Sequence, residues 1–385
     1  MATGPLTGVR VVEFAGIGPA PFCAMLLADQ GADVVRLDRL GGNAAGGKRE
    51  PKLDLLNRGR RSVAVDLKSP AGTALSLDLV EKADVLIEGF RPGVMERLGL
   101  GPDVCLNRNP RLVYGRMTGW GQYGPLSERA GHDINFIALS GALHAVGRRE
   151  GPPVVPLNLV GDFAGGALYL AFGLLSALHN ASRTGCGQVV DAAMSDGSVS
   201  LMTMFHGLNA MGLWRENRES NYLDGAAPYY TVYEAADGRF IAVGAIEDRF
   251  YRELLAGLGI DPDSVVDRRD PANWPALRSR FQDIFATRTR DEWARHFNGR
   301  DACVTPVLTL TEAPGDAHHR TRNTFSRCHG LDQPSPAPRF SATPGAIQGP
   351  PPLPGAHTRK ALADWGIDKG RIDKLLRERA IGEAG

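Results

Sequence analysis

The chain has 385 residues, 44 basic and 43 acidic side chains, and 43% hydrophobic against 23% charged residues. That length is more than one core usually serves, so two domains are expected in an ordinary soluble globular protein. A formal net charge of +1 excludes the basic field of a nucleic-acid binder and leaves no acidic tail.

In chain order, Val9 to Phe14 reads as a strand, Pro19 and Pro21 stand where a helix can begin, and Phe22 to Asp29 carries helical periodicity. Asp33 to Leu37 is a second strand. Residues 41–61, rich in Gly, Lys and Arg without a period, read as a long mobile loop. Ser62 to Leu67 is a strand, Ser69-Pro70 an N-cap with Pro at the first helical position, and Ala83 to Ile87 and Arg111 to Arg116 are further strands. Strands alternating with helices imply an α/β fold with a Rossmann-like parallel sheet. Nothing ionised lies between Asp162 and Arg183, but the apolar run ends near Leu178, so a buried core helix is expected and no membrane partner.

Gln188 to Ala193 reads as the last strand and Met194 to Trp214 as one long helix. Tyr229 to Ala245 then alternates like a hairpin turning at Ala236-Asp237-Gly238, with amphipathic helices near Asp248 to Leu258 and Trp274 to Arg288. A Pro-rich run from Pro334 to Pro354 leads to a final helical stretch ending near Ile381. The expected organisation is a large domain over 1–192, a linker helix and connection over 193–228, and an inserted smaller α+β domain over 229–307. A return linker over 308–330 and a C-terminal segment over 331–385 then rejoin the large domain.

The five cysteines are too far apart for a CxxC pair and odd in number, which fits free thiols in a reducing compartment. The first twelve residues lack a charged stretch followed by an apolar one, and the terminal Glu-Ala-Gly is no peroxisomal address, so a cytoplasmic location is expected.

Six features compete for a function. Gly16-Ile17-Gly18 with Asp38 at the end of strand two approaches a dinucleotide fingerprint, but the third glycine is missing and two prolines remove amide donors. His132-Asp133 precedes a helix, where an imidazole can face a cleft or simply be structural. Asp162 follows Asn158 at the start of the uncharged helix. It is either a carboxylate stabilised by the helix dipole or a base whose own amide donates to an oxyanion. Glu247 after a strand is an ordinary surface acid unless it pairs with an imidazole. Arg39, Lys68, Arg91 and Arg97 stand near strand ends, where several cations suit a polyphosphate ligand. Met194, Met202, Met204 and Met211 in one helical region are either core or an adaptable surface for a hydrocarbon chain.

The combination resembles the class III coenzyme A transferase family of the CaiB/BaiF type over nearly the whole chain. The stretches that carry the resemblance are Gly4 to Glu13, Leu27 to Arg36, Asp84 to Gly99, Met117 to Gln122, Gly131 to Asn135, Asn158 to Asp162, Leu223 to Tyr230 and Val243 to Glu247. It implies coenzyme A held by Arg39, Lys68, Arg91 and Arg97, and a 2-methylacyl thioester between His132 and Asp162. One of these takes the proton from carbon 2 and the other returns one to the opposite face, with Glu247 partnering His132, and Asn158 and Asp133 behind them. The acyl chain falls to the four methionines and Tyr230. No metal and no separate cofactor are implied, since coenzyme A is part of the substrate. The family's transferase branch is the alternative, with Asp162 as a nucleophile moving coenzyme A between carboxylic acids. The resemblance also implies a homodimer of interlocked subunits.

Overall fold

The computed structural model describes residues 3–42 and 50–384. Residues 1–140, 157–201 and 321–385 form one compact unit, and residues 141–156 and 202–320 form a second. The segments read from the sequence as connections, 193–228 and 308–330, divide between the units after residues 201 and 320.

The first unit opens with β1 (Arg10–Phe14), α1 (Pro19–Asp29) and β2 (Asp33–Arg39). Pro19 and Pro21 occupy the first turn of α1, where amide hydrogens lack intrahelical partners, and Gly18 at φ 70° turns the chain into it. Of the loop read over 41–61, residues 43–49 lie outside the described residues. The part after them is anchored, not mobile: Pro51–Leu53 and Leu55–Asn57 form single helical turns, and Asn57, Arg58 and Arg60 are buried. Arg58 pairs with Asp29 at 2.6 Å and Arg60 with Glu13 at 3.0 Å, all four side chains out of water.

β3 (Arg61–Val65) and α2 (Pro70–Val80) follow, the helix capped by Ser69 Oγ, which accepts the Gly72 amide at 3.0 Å. Next come β4 (Val85–Glu88), the short α3 (Val94–Arg97) and α4 (Pro102–Arg108), β5 (Val113–Thr118) and α5 (Asp133–Leu139). After α6 (Ala142–Ala145) in the second unit, Leu159–Leu168 wind as a π-helix that continues into α7 (Tyr169–Thr184), β6 (Gln188–Ala193) and α8 (Met194–Leu201).

The six strands are parallel in the order β3-β2-β1-β4-β5-β6. Both faces are covered, so the strands read as continuous apolar runs: Val12, Val35 and Leu86 pack into one core, Val11, Val34 and Ile87 into the other. The chain reverses direction across the sheet between β1 and β4, and such a switch point opens a crevice outside the carboxyl ends of the strands.

The uncharged helix is not the buried core helix expected from its composition. Residues 159–184 are long and apolar enough to cross a membrane by length and composition. In α7 one stripe, Leu170, Leu174, Ala177 and Ala181, is buried, while Phe172 is 72% and Leu175 42% exposed. Its π-helical start is seated by missing side chains. A Cβ on Gly197 would lie 1.8 Å from the Gly165 carbonyl oxygen, and one on Gly166 would lie 2.8 Å from Met194 Cγ.

In the second unit the segment 141–156 is tied down by Arg218, which donates to the Gly151 carbonyl at 2.6 Å, and Arg149, which donates to that of Glu219 at 3.1 Å. The single helix expected over 194–214 is two. The chain leaves helical geometry at Met202, and α9 (Thr203–Ala210), which buries no residue, stops ahead of Gly212 at φ 70°. β7 (Tyr230–Glu234) and β8 (Phe240–Gly244) form the expected hairpin. α10 (Asp248–Leu258), α11 (Trp274–Phe285), α12 (Arg290–Phe297) and an added strand β9 (Val304–Pro306) surround Tyr233, Phe281, Phe285 and Trp293.

α13 (Ala317–Thr321) precedes the return, where β10 (Phe325–Cys328) and β11 (Leu331–Pro334) pair as a ribbon. The final helical stretch is α14 (Thr358–Asp364) and α15 (Lys369–Arg377), parted by Gly366 at φ 73°. Ile381 is not helical but begins β12 (Ile381–Gly382), which runs antiparallel to β3.

A Gly197→Ala substitution should cost about 3 kcal/mol by urea denaturation, because backbone faces backbone and neither can yield. Gly207→Ala, where an added methyl meets nothing within 4 Å, should instead be neutral or stabilising by up to about 1 kcal/mol.

Candidate active site

The crevice at the switch point is a cavity of about 330 Å³. Its walls are the turn after β1 (Ile17 to Ala20), the turn after β4 (Gly89 to Pro92) and the turn after β5 (Thr118 to Trp120). His132, Asp162 and Met194 complete it, so the sheet topology brings together two side chains thirty positions apart. The wall after β4 is held by Glu88, whose carboxylate accepts the Phe90 amide at 2.7 Å and Arg116 Nε at 3.0 Å. Burial pushes the Glu88 carboxyl up to about 7 despite those two partners.

His132 is the extended residue that caps α5, with its own amide donating to Asn135 Oδ1 at 3.0 Å. The cap leaves the exposed imidazole at the mouth of the cavity. Beneath it Phe136 packs edge-on against Trp120, ring centroids 4.8 Å apart.

Asp162 lies in the first turn of the π-helix, a geometry that widens the helix and often marks a functional site. Leu157, in the left-handed region at φ 58°, swings the chain into it. Asn158 Nδ2 donates to Asp162 Oδ2 at 3.1 Å. The expectation that the Asp162 amide is open to an oxyanion is not met: it donates to Asp133 Oδ1 at 2.6 Å. Gly161 permits this approach, since a Cβ there would lie 2.7 Å from the same oxygen. The Asp162 carboxyl holds its proton above the usual aspartate range. Burial is the main cause and the Asp133 charge adds to it, while the Asn158 bond and His132 pull the other way.

The dinucleotide-like turn is used differently from its namesake. A Cβ on Gly18 would stand 3.4 Å from Asp162 Oδ2, so the anion at this turn is the chain's own carboxylate. Asp38 is buried, accepting Ser62 Oγ at 2.6 Å and pairing with Arg36 at 3.2 Å, so it cannot reach a ribose.

Of the four cations singled out by sequence, Arg91 lines the cavity. Arg39, Lys68 and Arg97 are exposed near the carboxyl ends of β2, β3 and β4, outside the cavity wall, and form no ion pair among the described residues. Arg129, three residues before His132, also lines the cavity and was missed; its place in the same short loop was the available signal. Met194 is buried against the cavity, whereas Met202, Met204, Met211 and Tyr230 belong to the second unit. Met204 and Met211 are exposed there, and Tyr230 lines a hollow of about 690 Å³ beside Val232, Ala242 and Cys303. Glu247, also in the second unit, is the exposed residue that caps α10 after β8.

Residues 6–358 match the sequence pattern of CoA-transferase family III. Alpha-methylacyl-CoA racemase of Mus musculus is 45% identical over 98% of this chain and 97% of its own length. The succinyl-CoA–L-malate CoA-transferase beta subunit of Chloroflexus aurantiacus is 31% identical over 98% of each. Among solved structures, a CAIB/BAIF family protein from Brucella suis superposes with a TM-score of 0.81 at 26% identity, over 94% of this chain and 100% of that one.

Removing the Asn158 donor takes away a bond that favours the ionised carboxylate. An Asn158→Ala variant should therefore raise the Asp162 titration midpoint, by about half a unit or more, in a carboxyl-carbon NMR titration.

Proposed function

The chain belongs to CoA-transferase family III, and from that membership we propose that it is a racemase interconverting the two epimers of 2-methylacyl-CoA thioesters. The observation that carries the reading is an imidazole and a carboxyl group lining one cavity in a chain 45% identical to a racemase.

Carbon 2 of a thioester is a very weak acid, so its proton leaves only toward a positioned base while the enolate oxygen is stabilised. Inversion further requires a donor on the opposite face. His132 and Asp162 fill these roles and exchange them in the reverse direction. A carboxyl group with raised proton affinity suits a residue that must both take and give a proton near neutrality. With the Asp162 amide committed to Asp133, the enolate oxygen is assigned to the Asp133 and Ile134 amides that open α5, since those of Asn135 and Phe136 already donate to the His132 carbonyl. Glu247 is assigned to the imidazole as its orienting carboxylate. Arg91 and Arg129, with Arg39, Lys68 and Arg97, are assigned to the phosphates of coenzyme A. The acyl chain is assigned to Met194, Met202, Met204, Met211 and Tyr230.

An interlocked homodimer fits the exposed apolar stripe of α7, a face that a lone subunit leaves in water. Five free thiols fit a cytoplasmic setting.

In the transferase reading Asp162 attacks the thioester and needs no imidazole opposite it. The two readings separate on incubating one epimer of a 2-methylacyl-CoA in deuterated water without a second acid. Deuterium at carbon 2 with epimerisation is expected; no exchange there, with coenzyme A passing to a carboxylic acid supplied in a separate incubation, would overturn the racemase. Glu247→Gln should lower kcat by about 100-fold, and an unchanged kcat would remove Glu247 from the reaction.

A further inference from the structure

Asp133 is 5% exposed, and only one of its oxygens is used. Oδ1 accepts the Asp162 amide at 2.6 Å, while Oδ2 is shut away from water with no hydrogen-bond partner among the described residues. No ion pair neutralises it among those residues either. A carboxylate used only to anchor an amide could be an asparagine at no loss of acceptor, and a buried, half-satisfied charge is costly to keep. Its position explains the cost: it stands directly beneath the peptide that carries the Asp162 carboxyl group.

We propose that Asp133 is a positioning residue for the proton transfer: it fixes the Asp162 peptide and, as a second carboxyl group set against Asp162, biases how the single proton is shared between Asp162 and His132. A two-base racemase must begin one direction with the proton on the imidazole and the other with it on the carboxyl group. The two forms must therefore lie close in free energy. An ordinary aspartate facing an imidazole would leave the proton on nitrogen; a neighbouring fixed charge moves it toward oxygen.

The groups that face Asp162 allow this assignment. His132 and Asp133 face it from the start of α5, Asn158 donates from the π-helix cap, and Gly18 lies against it from the cap of α1; Pro19 and, on α8, Met194, Gly197 and Ser198 pack on Gly165 and Gly166 of the same π-helix and bring no charge. Arg91 and Arg129 line the remaining wall of the cavity. Asp133 is thus the one anion set against Asp162 among the described residues.

The test is Asp133→Asn, which keeps the acceptor and the size and removes the charge. Both directions draw on the same singly protonated enzyme and are tied by one equilibrium constant, so kcat/KM should shift alike with either epimer. The acid limb should move about one pH unit lower, and the Asp162 carboxyl-carbon titration should move with it, opposite in sign to Asn158→Ala. Asp133→Ala should show the same displacement with at least tenfold further loss of kcat, because the Asp162 amide then has no acceptor. A slower Asp133→Asn enzyme with an unmoved limb and unmoved titration would overturn the proposal and leave Asp133 a scaffold residue. Wild-type protein labelled at aspartate carboxyl carbons gives a measurement independent of folding in the variants. Proton uptake at Asp133 in place of Asp162 would also overturn the proposal. The kinetic arm rests on the racemase reading; the titration arm uses no substrate, so failure of the deuterium experiment and failure of this proposal are distinguishable.

Discussion

Gly165 and Gly197 approach so closely that neither position can carry a side chain. That contact lets a π-helix lie flat on α8, and the widened first turn then delivers Asp162 over Gly18 rather than into the sheet. Everything chemical in the first unit is referred to this seat. The turn after β1 is shaped to receive a carboxylate, α5 is aimed so that Asp133 meets the Asp162 amide, and Met194 is pressed against Gly166 at the cavity wall. The usual logic of the doubly wound sheet, an empty turn at the switch point awaiting a phosphate, is inverted: the turn is occupied from within.

Electrostatics follow from the same seat. Asp162 is partly withdrawn from water, is supported by one neutral donor and has a second aspartate beneath it. The outcome is a carboxyl group held in balance by opposing neighbours, its proton affinity raised, in one cavity with an imidazole. A hydrolytic or transfer enzyme built on an aspartyl nucleophile gains nothing from that balance, since its carboxylate serves best when always ionised. The arrangement therefore speaks for proton traffic at a carbon more than for acyl exchange.

The strands were legible because both faces of the sheet are covered, which leaves Val11-Val12, Val34-Val35 and Val85 to Ile87 as plain aliphatic runs between turn residues. The Ser69-Pro70 cap and the Ala236 to Gly238 turn were legible for local reasons, a side-chain acceptor and a glycine. His132 and Asp162 were legible as residue types ahead of helices. What stayed hidden depends on contact rather than periodicity. A π-helix has no residue code of its own, and the break at Met202 interrupts an unbroken helical pattern. The Asp133–Asp162 hydrogen bond spans 29 positions and exists because Gly161 leaves room for it. Arg129 sat in view but looked like any surface cation.

The first unit is completed late. β1 to β6 are all present by residue 193, yet one of the two cores they form is closed by Ala361, Leu362, Trp365, Ile372 and Leu375, and the edge beyond β3 by Ile381. On a ribosome the second unit would emerge whole before those residues do. The nascent sheet must wait with one apolar flank bare while residues 194–360, over two-fifths of the chain, are made beyond it, the circumstance in which chaperones are most needed.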